Sequence, residues 1–183
     1  MAAPTKIVTG KVRLSYAHLF EPYSNQPDQD PKYSVTLLIP KSDKETLAKI
    51  EAARKAAIEL GKAKQFQGKV PPNLVNTLHD GDEEKDTDEH PEYAGMMYIA
   101  VSSKQKPGVV DRSNQQVFDA SEVYSGCYAR VSINAYPYSY AGKKGISFGL
   151  NNVQKLADGE RFGGSSNPED DFEALDDEAS SLL

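Results

Sequence analysis

The stretch from residue 126 to 138 constrains this chain most. Cys127, Ala129, Val131, Ile133 and Ala135 alternate with Tyr128, Arg130, Ser132, Asn134, Tyr136 and Tyr138. A period of two held over this length is the pattern of a strand with one face in the core and one face outside. Ile146, Phe148 and Leu150 resume the alternation after Ala141-Gly142-Lys143-Lys144-Gly145, a glycine-bearing segment suited to a hairpin turn. A long antiparallel hairpin is therefore expected, and it needs further strands to cover its apolar face.

Further strands are visible. Residues 6–17 alternate, with Val8, Val12, Leu14 and Tyr16 on one side and Thr9, Lys11, Arg13 and Ser15 on the other. Residues 32–39 repeat the pattern through Tyr33, Val35, Leu37 and Ile39, and Pro40 ends it. Residues 97–101 add a strand, residues 104–108 a turn and residues 116–119 a short strand. Three prolines make residues 21–31 a predicted loop, and residues 67–95 read as loop as well.

One helix interrupts the strands. Ser42-Asp43-Lys44-Glu45 has the spacing of a capping box, and Leu47, Ile50, Ala53, Ala57 and Leu60 follow at helical intervals. Gly61 is the expected stop, with residues 62–66 able to add a turn. The helix lysines read as a solvated face. Several strands with one inserted helix suggest a mostly β body, a small barrel of the oligonucleotide-binding (OB) type.

The formal net charge of −6 conceals two opposed regions. Residues 158–183 hold nine acids against Arg161, a net −8. Residues 80–92 hold eight acids against Lys85, a net −7. Setting both aside leaves the remaining body at +9. A basic body attracts polyanions. Residues 158–183, rich in glycine, serine and acids, cannot offset their own ordering entropy and read as a disordered tail behind a domain of residues 1–157.

The candidate site follows from charge and aromatic placement. Single strands bind where flat rings receive bases and cations follow phosphates. Tyr136, Tyr138 and Tyr140 alternate beside Arg130, Lys143 and Lys144, with Tyr128 on the same strand face. Tyr98 adds a ring; Lys11, Arg13, Lys104 and Lys106 add cations. The same tyrosines would also serve as cross-strand packing pairs or as a protein interface. The tail ends in apolar residues among acids: Phe172, Leu175, Asp176, Asp177, Glu178, Leu182 and Leu183. Such a segment can imitate nucleic acid or dock on partner proteins.

Other chemistries fit less well. Alternating acids in residues 80–92 invite a hard cation, but Gly81 is misplaced for a calcium loop. Glu83-Glu84-Lys85 resembles half of a metal-dependent nuclease motif, yet an acidic loop is a poor platform for two metals. His18, His79 and His90 are too scattered to share a metal. The single cysteine, Cys127, lies on the apolar face and reads as core. No metal, cofactor or catalytic residue is expected. No run is apolar enough for a membrane helix or signal peptide, so a cytoplasmic protein is expected.

Several segments in order resemble a bacteriophage single-stranded DNA-binding family. They are Leu78-His79-Asp80-Gly81-Asp82, Pro107-Gly108-Val109-Val110-Asp111 and Glu122-Val123-Tyr124-Ser125-Gly126-Cys127-Tyr128. Tyr136-Pro137-Tyr138, residues 142–145 and Gly149-Leu150-Asn151-Asn152-Val153-Gln154 complete the set. The resemblance spans roughly residues 5–162. It implies an OB fold, sequence-independent binding of single-stranded DNA, no catalysis and an acidic C-terminal tail. It also implies work in phage replication or recombination inside an infected bacterium, with replication or recombination proteins as partners of the tail. A metal-dependent nuclease and a protein-binding adaptor are the competing readings. The helix departs from a minimal barrel by following the second apparent strand rather than the third.

Overall fold

The structure, a computed structural model, describes residues 5–24, 27–63, 68, 74–140, 143–162, 173 and 175. In chain order the first elements are β1 (Lys6–Val8), β2 (Val12–Tyr23), β3 (Lys32–Pro40) and α1 (Lys44–Ala63). Then come β4 (Val75–Asn76), β5 (Leu78–Asp80), α2 (Gly81–Glu84), β6 (Met96–Ser103) and β7 (Gly108–Val110). The hairpin strands β8 (Tyr128–Tyr140) and β9 (Lys143–Ala157) close the series.

Five long strands form a ring in the order β2, β3, β6, β9, β8 and back to β2. All ring contacts are antiparallel except β6–β9, which is parallel. That order is the five-stranded ring expected of the OB class. It is not a clean barrel. The β6–β9 seam is registered at one pair only, Ser102 with Gly149. The short strands β4 and β7 pair parallel to β9, β5 pairs with β6, and β1 lengthens the sheet beside β8.

The hairpin follows its sequence pattern. Cys127, Ala129, Val131, Ile133 and Ala135 are buried, and so are Ile146, Phe148 and Leu150 from the returning strand. Burial pushes the Cys127 thiol pKa up, as expected of a small core residue. Of the predicted turn, Ala141 and Gly142 lie outside the described residues, while Tyr140 pairs with Lys143 across it.

Residues 6–17 are two strands rather than one. Ile7 and Thr9 are buried and Val8 is 44% exposed, the reverse of the expected facing. The chain offsets at Gly10, whose amide donates to the Thr46 hydroxyl, and a one-residue offset exchanges the faces of a strand. Thr9 tolerates burial because Val131 donates to its hydroxyl, which donates in turn to the Gly10 carbonyl. Beyond it Val12 and Leu14 point inward as expected. At Tyr16 a bulge with φ of 48° turns that ring outward again, and Ser15 is buried instead.

Three boundaries also move. β2 runs through Pro22 to Tyr23, where a loop was expected. Helix α1 is capped by Asp43 rather than by the Ser42–Glu45 box: its carboxylate accepts from both the amide and the hydroxyl of Thr46. The helix continues past Gly61, burying Ile50, Ala53 and Ala57 but leaving Leu60 exposed. Residues 116–119 hold only an isolated bridge from Gln116 to Val110. Helix α1 packs on β8, β1 and β9 and covers that side of the ring. No described helix is long and apolar enough to cross a membrane.

The acidic stretch 80–92 is folded onto the ring. Lys41 bridges Asp80 and Asp82, each at 2.7 Å. Asp80 also caps α2, and Asp82 accepts from the Gly95 amide at 3.1 Å. Hydrogen bonding from Lys41 holds both carboxyls below their ordinary pKa and raises that of Lys41. The depressed carboxyls stabilise the clasp above the unfolded carboxylate pKa of about 4, and that contribution is lost as pH falls through their folded values. The raised Lys41 contributes below about pH 10.4 and loses it at higher pH. Hydrogen exchange at the Gly95 amide should therefore accelerate, beyond its intrinsic pH trend, only as pH falls below about 4 and through the depressed carboxyl values, before the ring melts. Unchanged protection across that range would rule out the clasp.

Candidate nucleic-acid interface

The β8–β9 register decides which hairpin residues share a face, because residues opposed across an antiparallel pair lie on the same side. Tyr136 opposes Ser147, Tyr138 opposes Gly145 and Tyr140 opposes Lys143. Ala135 opposes Phe148 and Pro137 opposes Ile146, on the core side. Tyr136 is 39% exposed and Tyr138 half-buried. Neither has a bulky side chain across from it, so neither ring is explained as a cross-strand packing pair. Lys143 belongs to this tyrosine face. Lys144 opposes Ser139 and falls on the other side, which corrects its expected place beside the rings. Tyr140 lies in β8, but its side chain is outside the described residues.

The Tyr136 ring reaches sideways over glycine. A Cβ added at Gly149 would sit 3.7 Å from Tyr136 Cε1 and 3.8 Å from the Ser102 carbonyl oxygen. Gly149 pairs with Ser102, which pairs with Ser34. The outer surface thus passes from Tyr136 over a saddle of small residues. Beyond it lies a cavity of about 640 Å³ lined by Tyr23, Ser24, Gln29, Lys32, Ser34, Ser102 and Lys104, with one carboxylate, Asp30, against the two lysines. Tyr23 stacks on His18 at 4.3 Å between ring centroids, and burial lowers the His18 pKa, which favours a neutral ring. On the other side of Tyr136 the same strand face carries Arg130 and Ser132. These line a second cavity, about 550 Å³, with Asn152 and Gln154. Arg130 donates to Gln154 at 2.5 Å, and the buried Ser132 hydroxyl has no hydrogen-bond partner among the described residues.

Sequence reasoning missed His18, Tyr23, Lys32, Ser34 and Ser102. Pro22 concealed the end of β2, and a serine on a strand carries no signal until its neighbours are known.

Several expected contacts lie elsewhere. Tyr128 is ten residues from Tyr138, about 33 Å along an extended strand, so the two cannot share one platform. Lys11 Nζ stands 4.7 Å from the Tyr128 ring centroid, and the Arg13 guanidinium 5.4 Å. Arg13 is held in a structural knot. It donates to the carbonyls of Gly126 and Glu160 at 3.0 and 2.7 Å and lies 4.2 Å from the Phe162 ring. Residues 158–162, expected to open the tail, are bound to the body: the Phe162 amide donates to Ser125, and the Tyr124 hydroxyl meets Asp158 and Gly159. Tyr98 is covered. His79 stacks on it at 5.1 Å, Tyr93 meets it edge-on at 5.1 Å, and Lys85 stands 5.4 Å away. Burial of Tyr93 raises its hydroxyl pKa to about 12. Lys104 and Lys106 are exposed on the loop between β6 and β7.

Of the expected tail residues, Leu175 is described and exposed. Phe172, Asp176, Asp177, Glu178, Leu182 and Leu183 lie outside the described residues. Within the 80–92 stretch, Asp80 and Asp82 are engaged by Lys41, Glu84 by His79, and Asp82 and Asp86 by backbone amides. Among the described residues no three His, Cys, Asp or Glu side chains converge as a metal site would require. What the surface offers is stacking and charge: open rings over small residues, with cations on either side.

Comparison with known proteins identifies the family. A family model described as the single-stranded DNA-binding protein of Enterobacter phage Enc34 matches residues 5–182. The chain is 33% identical over 165 residues to putative protein p50 of Acyrthosiphon pisum secondary endosymbiont phage 1, covering 87% of each. It resembles the Enc34 single-stranded DNA-binding protein solved in complex with single-stranded DNA, with a TM-score of 0.72 and 32% identity. That match covers 87% of this chain and 90% of the other. The single-stranded DNA-binding protein gp2.5 of bacteriophage T7 shares the fold, with a TM-score of 0.61 at 16% identity over 92% and 94% of the two chains. On these matches, the chain belongs to the family of the Enterobacter phage Enc34 single-stranded DNA-binding protein.

Proposed function

We propose that this protein binds single-stranded DNA without regard to sequence and has no catalytic activity of its own. The observation that carries the reading is the presentation of Tyr136 and Tyr138 opposite Ser147 and Gly145, with Tyr136 reaching over Gly149. A ring so placed loses no packing partner when a base stacks on it, and each stacked base is worth about 1–3 kcal/mol whatever its identity. Lys143, Arg130, Lys104 and Lys32 take the phosphates. The Enc34 relative, solved with single-stranded DNA, supports the same ligand here. The protein then coats exposed strands during phage DNA replication or recombination, in the cytoplasm of the infected host. Its body extends through Phe162. Beyond it the acidic tail, with Phe172, Leu175, Asp176, Asp177, Glu178, Leu182 and Leu183, docks replication or recombination proteins.

A salt titration of binding to mixed-sequence single strands tests the reading. The log–log slope should be about −0.7 per neutralised phosphate, or about −3 if the four named cations each meet one. Changing the base sequence at fixed length should alter affinity little. A salt-independent affinity sinks the electrostatic half of the proposal. Strand cleavage on adding Mg²⁺ would favour a nuclease, and failure to bind at moderate salt a protein-binding adaptor.

A further inference from the structure

Phe118 is 81% exposed, the most exposed of the large apolar side chains described. Its backbone is nonetheless anchored: the neighbouring Val117 is buried and donates its amide to Val109 at 2.9 Å, and Gln116 bridges to Val110. The ring is therefore held out in water by an ordered segment, where a flat ligand can reach it. It borders a cavity of about 470 Å³ shared with Phe20, Val110, Val117 and Lys106. Lys106 Nζ stands 5.7 Å from the Phe20 ring centroid and is the one charged side chain lining that cavity.

Two rings, a cation and no carboxylate suit a flat ligand that carries negative charge. The cavity beside the exposed Tyr16 differs: at about 540 Å³ it is similar in size, but Glu89 and Glu92 line it and would repel a phosphate. Continuity points the same way. Lys104 lines the cavity at the end of the small-residue saddle, and Lys106 follows two residues later on the same loop.

We infer that Phe118, Phe20 and Lys106 form a second stacking site, which takes a nucleobase of the bound strand beyond the Tyr136–Tyr138 platform. This rests on the single-strand reading above and extends it. The strand runs from the hairpin over the Gly149–Ser102–Ser34 saddle, past Lys104, and places a base against Phe118 with its phosphate at Lys106.

The chain contains no tryptophan, so Phe118→Trp in the full-length protein introduces a sole, exposed reporter. Its emission should be quenched by oligothymidylate, but only above a threshold length. Phe118→Ala should leave affinity for shorter strands unchanged and weaken binding about tenfold above the same threshold, with an unaltered melting temperature. Wild-type binding with an unquenched Phe118→Trp reporter and undiminished Phe118→Ala affinity at every length overturns the site alone, and leaves the Phe118 surface to a protein partner. A wild-type protein that binds no single strand at low salt overturns the function and this site together.

Discussion

Alanine at both Tyr136 and Tyr138 is expected to weaken single-strand binding by about 2–6 kcal/mol, at least about thirtyfold, without unfolding the protein. Each ring contributes about 1–3 kcal/mol as a stacking platform, and the two act on neighbouring bases, so their losses need not add simply. The fold should survive because neither ring belongs to the core. Tyr136 is 39% exposed, and the residues opposite the pair are Ser147 and Gly145. Binding titrations at one salt concentration, with melting curves alongside, test both halves. If the single variants instead melt many degrees lower while their folded fraction still binds normally, the rings support the hairpin and the interface lies elsewhere. Tyr128→Ala is the internal contrast. That ring sits at the far end of β8 under Lys11 and Arg13, and its loss should leave the affinity for a short strand nearly unchanged.

Gly126→Ala should be among the most destabilising single substitutions outside the core. Gly126 has φ of 117°, a conformation available to glycine at little cost and to alanine only with strain of about 1–3 kcal/mol. An added Cβ would also run into the Glu160 carbonyl and approach Arg161 Cα at 3.0 Å. Gly159 lies on the other side of this crossing, where a Cβ would meet the Gly126 carbonyl and come within 2.9 Å of Tyr128. The two glycines let residues 158–162 lie directly on the chain before β8. Arg13 ties both layers by donating to Gly126 and Glu160. A loss of about 2–4 kcal/mol is expected, lowering the melting temperature by roughly 5–12 °C for a protein of this size. A melting temperature within about 1 °C of wild type would show that the crossing opens at no cost. The expected result also assigns residues 158–162 to the body, so that truncation after Phe162 spares the fold while truncation after Ala157 does not.

Local pattern sufficed where one rule governed many residues. The alternation from Cys127 to Ala135 and from Ile146 to Leu150 specified two strands and their buried faces, because a period of two with one dry face admits little else. The helix was legible from Ile50, Ala53 and Ala57 for the same reason. The opposed charges of body and acidic segments, and the tyrosine alternation at residues 136–140, were likewise present in the order of residues alone. Tertiary structure decided what depends on neighbours distant in the chain. The offset at Gly10 exists because the Thr46 hydroxyl is there to receive its amide, and it reverses Val8 and Thr9. Tyr98 has the spacing of a surface ring, but Tyr93 and His79 fold over it once Lys41 clasps Asp80 and Asp82. Arg13 is spent on the crossing at Gly126, and Lys144 is turned from the rings by the β8–β9 register. The saddle of Gly149, Ser102 and Ser34 joins three strands far apart in sequence. Such small residues have no pattern of their own, and they become a floor only when ring closure sets β9 beside β6 and β6 beside β3.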